Sequence, residues 1–373
     1  MQNMIPLWRP GNLPIYDVNK SYLENADQGP FFDGPYPERP KGHSNLPLDF
    51  LGFPLASPIG IAAGPLLNAR WIRLAADLGY DLLWYKTIRS SAHPGHPCPN
   101  IVYVQAEEQI KPGQQGVLAQ AKHSPRHLEE LAITNSFGMP SRDPEYLKKD
   151  IALANSYLHE GQVMIVSVVG TCKGDNREAF IQDFADAACL AKECGAKVIE
   201  ANFSCPNVAK GEGSIYLHPD SVYEIASRIK KAIGTTPLML KFGVFNDQKV
   251  MGETLIKAAN AGVQAISGIN TISMTVVDEA KNFALGPERP TSGICGAPIR
   301  QAALDFVRKA WAINAWEGLN LKIVGGGGIT LPEHFDEFLG KAGADIAVCA
   351  TAMMWDPLIA MRYHANKLNG NKE

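Results

Sequence analysis

VIEANFSCPN, residues 198–207, opens as an apolar strand and closes on amides, a hydroxyl and a thiol. Gly195 supplies a turn just before it, and Val198 and Ile199 form its buried start. Pro206 has no N–H to give to a ladder, so the strand stops there. Glu200, Asn202, Ser204, Cys205 and Asn207 are thereby crowded at the carboxyl end of a strand that should be central. In a parallel α/β barrel that end carries the chemistry. A lone cysteine in such a place is more often buried and inert, so its meaning turns on what the other strand ends carry.

Outward from this stretch, the chain repeats one unit: a short apolar run ending in Gly, Asn, Lys or Thr, followed by a helical pattern. The runs are SPIGIAAG (57–64), DLLWYKT (81–87), VMIVSVVG (163–170), the stretch at Val198, PLMLKFG (237–243), VQAISGINT (263–271), LKIVGGGG (321–328) and ADIAVCAT (344–351). NARWIRLAADLG, stopped by Gly79, is the first helix, and another covers Arg177–Cys194. Strands buried on both faces are near-continuously apolar, and these are. Eight of them alternating with helices predict an α/β fold, an eight-stranded parallel (β/α)8 TIM barrel.

Two connections are too long for plain barrel loops, from about Ile88 to Ser136 and from about Ile272 to Pro298. Both follow strand ends, so both are expected to cover the active face as long loops. The amino terminus differs in kind. Eight of the 26 prolines fall in the first 50 residues, with aromatics between them as in GPFFDGPYPERP. Proline this dense does not build helices. Residues 1–45 are read as an irregular, proline-rich arm and 46–373 as the catalytic barrel domain.

Composition narrows the partners. A net charge of −3 without a long basic run argues against nucleic acid. No apolar run is long enough to span a bilayer, and no signal-peptide pattern opens the chain. Seven scattered cysteines with no C-x-x-C pair fit a reducing cytoplasm and carry no iron–sulfur ligand set.

Other strand ends carry chemistry too. GGGGI at 325–329 and CATAM at 349–353 close the last two strands, where bare backbone N–H groups can hold a phosphate. Lys86 and Lys241 near two strand ends suit anionic partners, since lysine in an apolar strand is costly unless paired. Asn135, Asn202, Asn207 and Asn270 stand beside strand ends, and several amides together can read a flat ring through both donors and acceptors. Cys205 can serve as a base or a nucleophile. None of the nine histidines falls at a strand end, which disfavours Cys–His hydrolysis. HPGHPCP (93–99) has metal-ligand residue types, but its prolines and the missing fourth ligand make it a shaped loop, and no metal is expected.

Taken in order, AAG, YKT, NSFGMP, NFSCPN, LKFG, SGINT, SGICG and GGGGI resemble the dihydroorotate dehydrogenase family over roughly Leu46 to the C-terminus. The likeness is greatest to its soluble, cysteine-type class 1 branch. It implies FMN on the carboxyl face of the barrel. Ala63 and Gly64 would lie under the flavin. Lys86 would touch both flavin and substrate, with Thr87 on the flavin, and Lys241 would sit near its pyrimidine edge. Gly293, Gly296, Gly326, Gly327, Ala350 and Thr351 would hold the ribityl phosphate region. Asn135, Gly138, Met139, Asn202, Asn207, Asn270 and Thr271 would surround the substrate ring, with Asn202 also counted among the flavin contacts. Cys205 would take a proton from C5 of dihydroorotate while a hydride leaves C6 for flavin N5. The membrane-bound branch has serine there.

The implied role is oxidation of dihydroorotate to orotate for pyrimidine synthesis, in the cytoplasm and away from membranes. Fumarate as acceptor would suit a lone chain or homodimer, and NAD would need a partner subunit. The alternatives are an FMN enzyme acting on another pyrimidine ring, as in the dihydropyrimidine dehydrogenases, and a flavin-binding barrel without catalysis. Three features depart from the family pattern: the amino-terminal arm, Phe137 where methionine is more usual, and Ala350 in place of a glycine.

Overall fold

In the computed structural model, residues 13–34, 48–172, 174, 176–204 and 214–370 are described. Eight parallel strands close into a barrel in chain order: β1 (Ile59–Ile61), β2 (Leu82–Ile88), β3 (Val163–Val168), β4 (Val198–Asn202), β5 (Leu238–Lys241), β6 (Ala265–Gly268), β7 (Lys322–Gly326) and β8 (Ile346–Cys349). β8 pairs with β1 to complete the ring, Val348 opposite Gly60. The (β/α)8 barrel expected from the apolar runs is therefore the fold.

Alternation along each strand builds two cores. Leu82, Val163, Val198, Met239, Ala265 and Ile346 point inward and fill the barrel. A short hairpin, Leu48–Phe50 with Phe53–Leu55, seals its amino end, and Phe50 and Leu55 pack into that interior. Leu83, Ile199, Leu240 and Ile266 point outward, into the larger core beneath the helices. The inward positions one period further along, Trp84, Glu200 and Ser267, lie above the apolar plug, and Lys86, Asn202 and Lys241 lie above those.

Several elements differ from the sequence reading. The two long connections are not loops. They fold together into a closed five-stranded sheet of Ile101–Gln105, Val117–Gln120, Ala132–Asn135, Ile272–Val277 and Ser292–Gly296. Its central antiparallel pair sets Gly293 opposite Asn135 and Gly296 opposite Ala132. The arm is not wholly irregular either. Tyr22–Gln28 is a helix whose Ser21 and Glu24 form a reciprocal capping box, in a proline-free window between Pro14 and Pro30. The helix Pro144–Ser156 went unassigned, although Asp143 accepts from Tyr146 N–H at 2.9 Å and proline holds its first position. Among the described residues, no helix is long and apolar enough to cross a membrane.

Candidate active site

The carboxyl ends of the strands open onto one cavity, and most of the residues singled out in the sequence line it. Ala63 and Gly64 follow β1, Lys86 and Thr87 belong to β2, Asn202 ends β4 and Lys241 ends β5. Asn135, Gly138 and Met139 approach from the five-stranded sheet, and Asn270 and Thr271 follow β6. Gly296, Gly326, Gly327, Ala350 and Thr351 complete the wall. Gly293 stands behind it: a Cβ there would lie 2.1 Å from Thr271 Oγ1. Cys205 and Asn207 lie outside the described residues.

Both lysines are buried, Lys86 to 8% exposure and Lys241 to 6%. An ammonium so placed needs compensation. Lys86 Nζ lies 5.7 Å from the centroid of the Phe137 ring, within cation–π range. Lys241 faces the carboxylate of Glu200, a residue of the strand end to which the sequence assigns no role. Glu200 is 1% exposed; its Oε2 accepts from Trp84 Nε1 at 3.0 Å and from Ser267 Oγ at 2.7 Å. Burial pushes its carboxyl up, and the Lys241 charge is the largest opposing influence. Its Oε1 is buried with no hydrogen-bond partner among the described residues. The signal for it was period two: if Asn202 faces inward, so does Glu200.

The amides are held by their neighbours. Asn135 Nδ2 donates to Cys295 Sγ at 3.3 Å, and Asn202 Nδ2 to Met139 Sδ at 3.6 Å. Met139 has a φ of 49°, in the left-handed region that residues with a Cβ seldom adopt. The buried Arg89 fixes it, with Nε donating to the Met139 carbonyl at 3.1 Å and Nη1 to Gly170 O and Thr171 Oγ1. Ser204 is a hub. Its N–H donates to Asn202 Oδ1 at 3.2 Å, and its carbonyl and hydroxyl receive Asn270 Nδ2 at 3.1 and 3.2 Å. The side chains of Asn202 and Asn270 thus meet at Ser204, the residue just before Cys205 in the sequence.

The glycine corner is a cradle. A Cβ at Gly328 (φ 75°) would stand 2.5 Å from Arg300 Cβ and 2.6 Å from its nitrogen. At Gly327 (φ 126°) a Cβ would stand 2.9 Å from Ala303 Cβ and 3.2 Å from Ile269 Cγ1. Only glycine brings the backbone this near. His334, which carried no sequence signal, holds the loop that follows. Its Nδ1 accepts from the N–H groups of Thr330 and Leu331, both at 3.2 Å, and the Arg300 guanidinium lies 2.9–3.0 Å from its ring nitrogens. Such an acceptor must be neutral. Burial, and then the Arg300 charge, lower its pKa to about 4.

A folded value below the unfolded one of ~6.5 means that the unfolded chain binds the extra proton first. The stabilisation is complete above pH ~6.5 and is lost as pH falls toward 4, on the order of 2–3 kcal/mol. Thermal melts between pH 7 and 4 should therefore fall more steeply for the wild type than for His334→Gln. Parallel curves would remove His334 from this role.

The segment 93–99 is a shaped loop around Asn100, whose Nδ2 donates to the carbonyls of His96, Pro97 and Ser136. His96 Nδ1 lies 3.0 Å from Ser136 Oγ. No group of three or more His, Cys, Asp or Glu side chains able to hold a metal occurs among the described residues.

The family model for dihydroorotate dehydrogenase matches residues 45–366. The chain is similar to a dihydroorotate dehydrogenase of Dictyostelium discoideum, 50% identical over 370 residues, covering 96% of this chain and 99% of the relative. It also resembles the catalytic subunit of a dihydroorotate dehydrogenase B (NAD(+)) of Methanopyrus kandleri, 26% identical over 82% of this chain and 85% of that one. A dihydroorotate dehydrogenase A (fumarate) of Lactobacillus delbrueckii subsp. bulgaricus is 26% identical over 87% of this chain and 91% of its own.

Proposed function

The chain belongs to the dihydroorotate dehydrogenase family and is an oxidoreductase, and from that premise we propose that it uses FMN to oxidise (S)-dihydroorotate to orotate in pyrimidine synthesis. The observation that carries this reading is the meeting, in one cavity, of two buried lysines, three carboxamides and a glycine cradle. The residues present fit FMN. Gly326–Gly328 and Gly296 bring bare backbone to the cavity, packed so close to Val348, Ala303, Arg300 and Leu131 that no Cβ fits, and their N–H groups would hold the phosphate. Glu200 Oε1 and Thr271 Oγ1 are buried on the cavity without partners among the described residues. When bound, FMN supplies the acceptor for the substrate hydride.

The chain's own residues do the rest. Ala63, Gly64, Lys86, Thr87, Asn202 and Lys241 would hold the flavin ring, and Gly293, Gly296, Gly326, Gly327, Ala350 and Thr351 its ribityl phosphate. Asn135, Asn202, Asn207 and Asn270 read the carbonyl and N–H edges of the substrate ring, with Gly138, Met139 and Thr271 around it. Lys86 faces the substrate carboxylate and steadies its charge, an effect strengthened by exclusion of water. Cys205 takes the C5 proton.

The named acceptors of the two 26% relatives are fumarate and NAD. Fumarate serves a lone chain or a homodimer, and NAD serves through a partner subunit. No disulfide joins the six described cysteines to one another, which accords with a cytoplasmic site of action. The absorbance spectrum of the purified protein, before and after anaerobic dihydroorotate, tests the reading. Flavin bands that bleach are expected. A yellow protein that stays oxidised would keep the flavin and remove dihydroorotate as substrate.

A further inference from the structure

The family match begins at residue 45, yet a residue well before it walls the cavity. The amino-terminal segment is tied to the barrel domain at several points. Ile15 N–H donates to the Met354 carbonyl at 2.7 Å. The Ala26 carbonyl accepts from Asn68 Nδ2 and from Arg70 Nη2. Asp27 pairs with Arg142. Inside the segment, buried Asn25 closes the turn: its Oδ1 accepts Asp17 N–H at 2.8 Å and its Nδ2 donates to the Asp17 carbonyl at 2.9 Å. The turn so fixed sets Tyr16 into the cavity wall at 1% exposure.

Tyr16 meets one ring of the site. Its centroid lies 5.8 Å from that of Phe137, at an interplanar angle of 82°. Tyr22 meets Phe137 too, at 6.1 Å and 70°. Edge-to-face contacts of this kind fix ring orientation as well as position. Phe137 is the ring beneath the Lys86 ammonium, and the strength of a cation–π contact depends on the ring staying under the charge. Burial keeps the Tyr16 hydroxyl neutral, so the wall adds no anion to compete for Lys86.

We infer that Tyr16 is a positioning residue of the active site, which holds Phe137 in place and through it the Lys86 ammonium, making the amino-terminal segment part of the catalytic unit. The inference rests on the dihydroorotate reading above. The ring, not the hydroxyl, does the positioning.

The test uses the full-length FMN-loaded protein and its variants Tyr16→Ala, Tyr16→Phe, Phe137→Leu and the double variant Tyr16→Ala/Phe137→Leu. Orotate affinity is read from the flavin difference spectrum, reduction by dihydroorotate from anaerobic stopped flow, and folding from thermal melts. Tyr16→Ala should weaken orotate binding and slow reduction by about tenfold, while Tyr16→Phe should restore both to within about twofold. In the Phe137→Leu background, Tyr16→Ala should add less than about twofold, because the two act along one route. Wild-type orotate affinity and reduction in Tyr16→Ala, whatever its melting temperature, would overturn the inference, as would fully additive effects. Should Tyr16→Ala fail to fold, Tyr16→Leu fills the space without an aromatic ring and is read the same way. A wild-type protein that neither binds orotate nor bleaches would instead defeat the substrate reading, before any variant is made.

Discussion

Gly296→Ala is expected to abolish the proposed FMN binding and to cost on the order of 3 kcal/mol or more of stability. The residue ends the Ser292–Gly296 strand with a φ of 92°, where a side chain is strained by itself. The larger effect is steric. A Cβ would stand 2.0 Å from the Leu131 carbonyl oxygen and 3.0 Å from its carbon. Both are backbone atoms, and the same oxygen already accepts Ala297 N–H at 2.7 Å. Relief requires the strand to move away from Ala132–Asn135, the pair that carries Asn135 and Cys295 to the cavity.

Gly318→Ala is the control. Gly318 also has a left-handed φ, 62°, but nothing lies within 4 Å of a Cβ built there. It ends the helix Arg300–Glu317 and should cost only about 1 kcal/mol, with FMN retained. Thermal melts and fluorescence titration with FMN separate the two. Gly296→Ala with wild-type melting and FMN affinity would mean that the strand pair yields at little cost, and the cradle would then need other supports.

How much of this was legible depends on the range over which each signal acts. The barrel was legible because strands buried on both faces leave continuous apolar runs, such as VMIVSV and LMLK, whose polar endings mark the active face. Lys86, Asn202 and Lys241 announced themselves as polar groups at those endings. The five-stranded sheet was not legible, because its pairs join residues far apart in the chain, Asn135 with Gly293 for example. Alternation in NIVYVQ (100–105) fits a strand but cannot name its partner. Glu200 counts among the polar residues of the deciding stretch but takes no role from it, because a charge two residues before Asn202 looks like the start of a polar loop until the barrel interior is built. His334 and Tyr16 carry no local pattern. Each gains its role from a contact with a distant segment, Arg300 for one and Phe137 for the other.

Cys205→Ala is expected to slow reduction of the flavin by dihydroorotate by roughly 10²–10⁴-fold, the usual contribution of a positioned general base, while FMN binding stays near wild type. The residue lies outside the described part of the chain, but its neighbour does not. Ser204 is 4% exposed, accepts from Asn270 Nδ2 and donates to Asn202 Oδ1. The two amides proposed to read the substrate ring therefore both bond to Ser204, the residue immediately before the proposed base in the sequence. A general base acts on the chemical step rather than on binding, so truncating Cys205 should leave orotate affinity within a few fold while the chemical step collapses. Cys205→Ser adds a second check. A serine hydroxyl is far less acidic than a thiol, so its pH–rate profile should keep rising at alkaline pH, where the wild-type profile levels off as the thiol ionises. Anaerobic stopped flow across pH measures both. Reduction at the wild-type rate in Cys205→Ala would assign the C5 proton to another group and leave Cys205 as a packing residue beside the Ser204 hub.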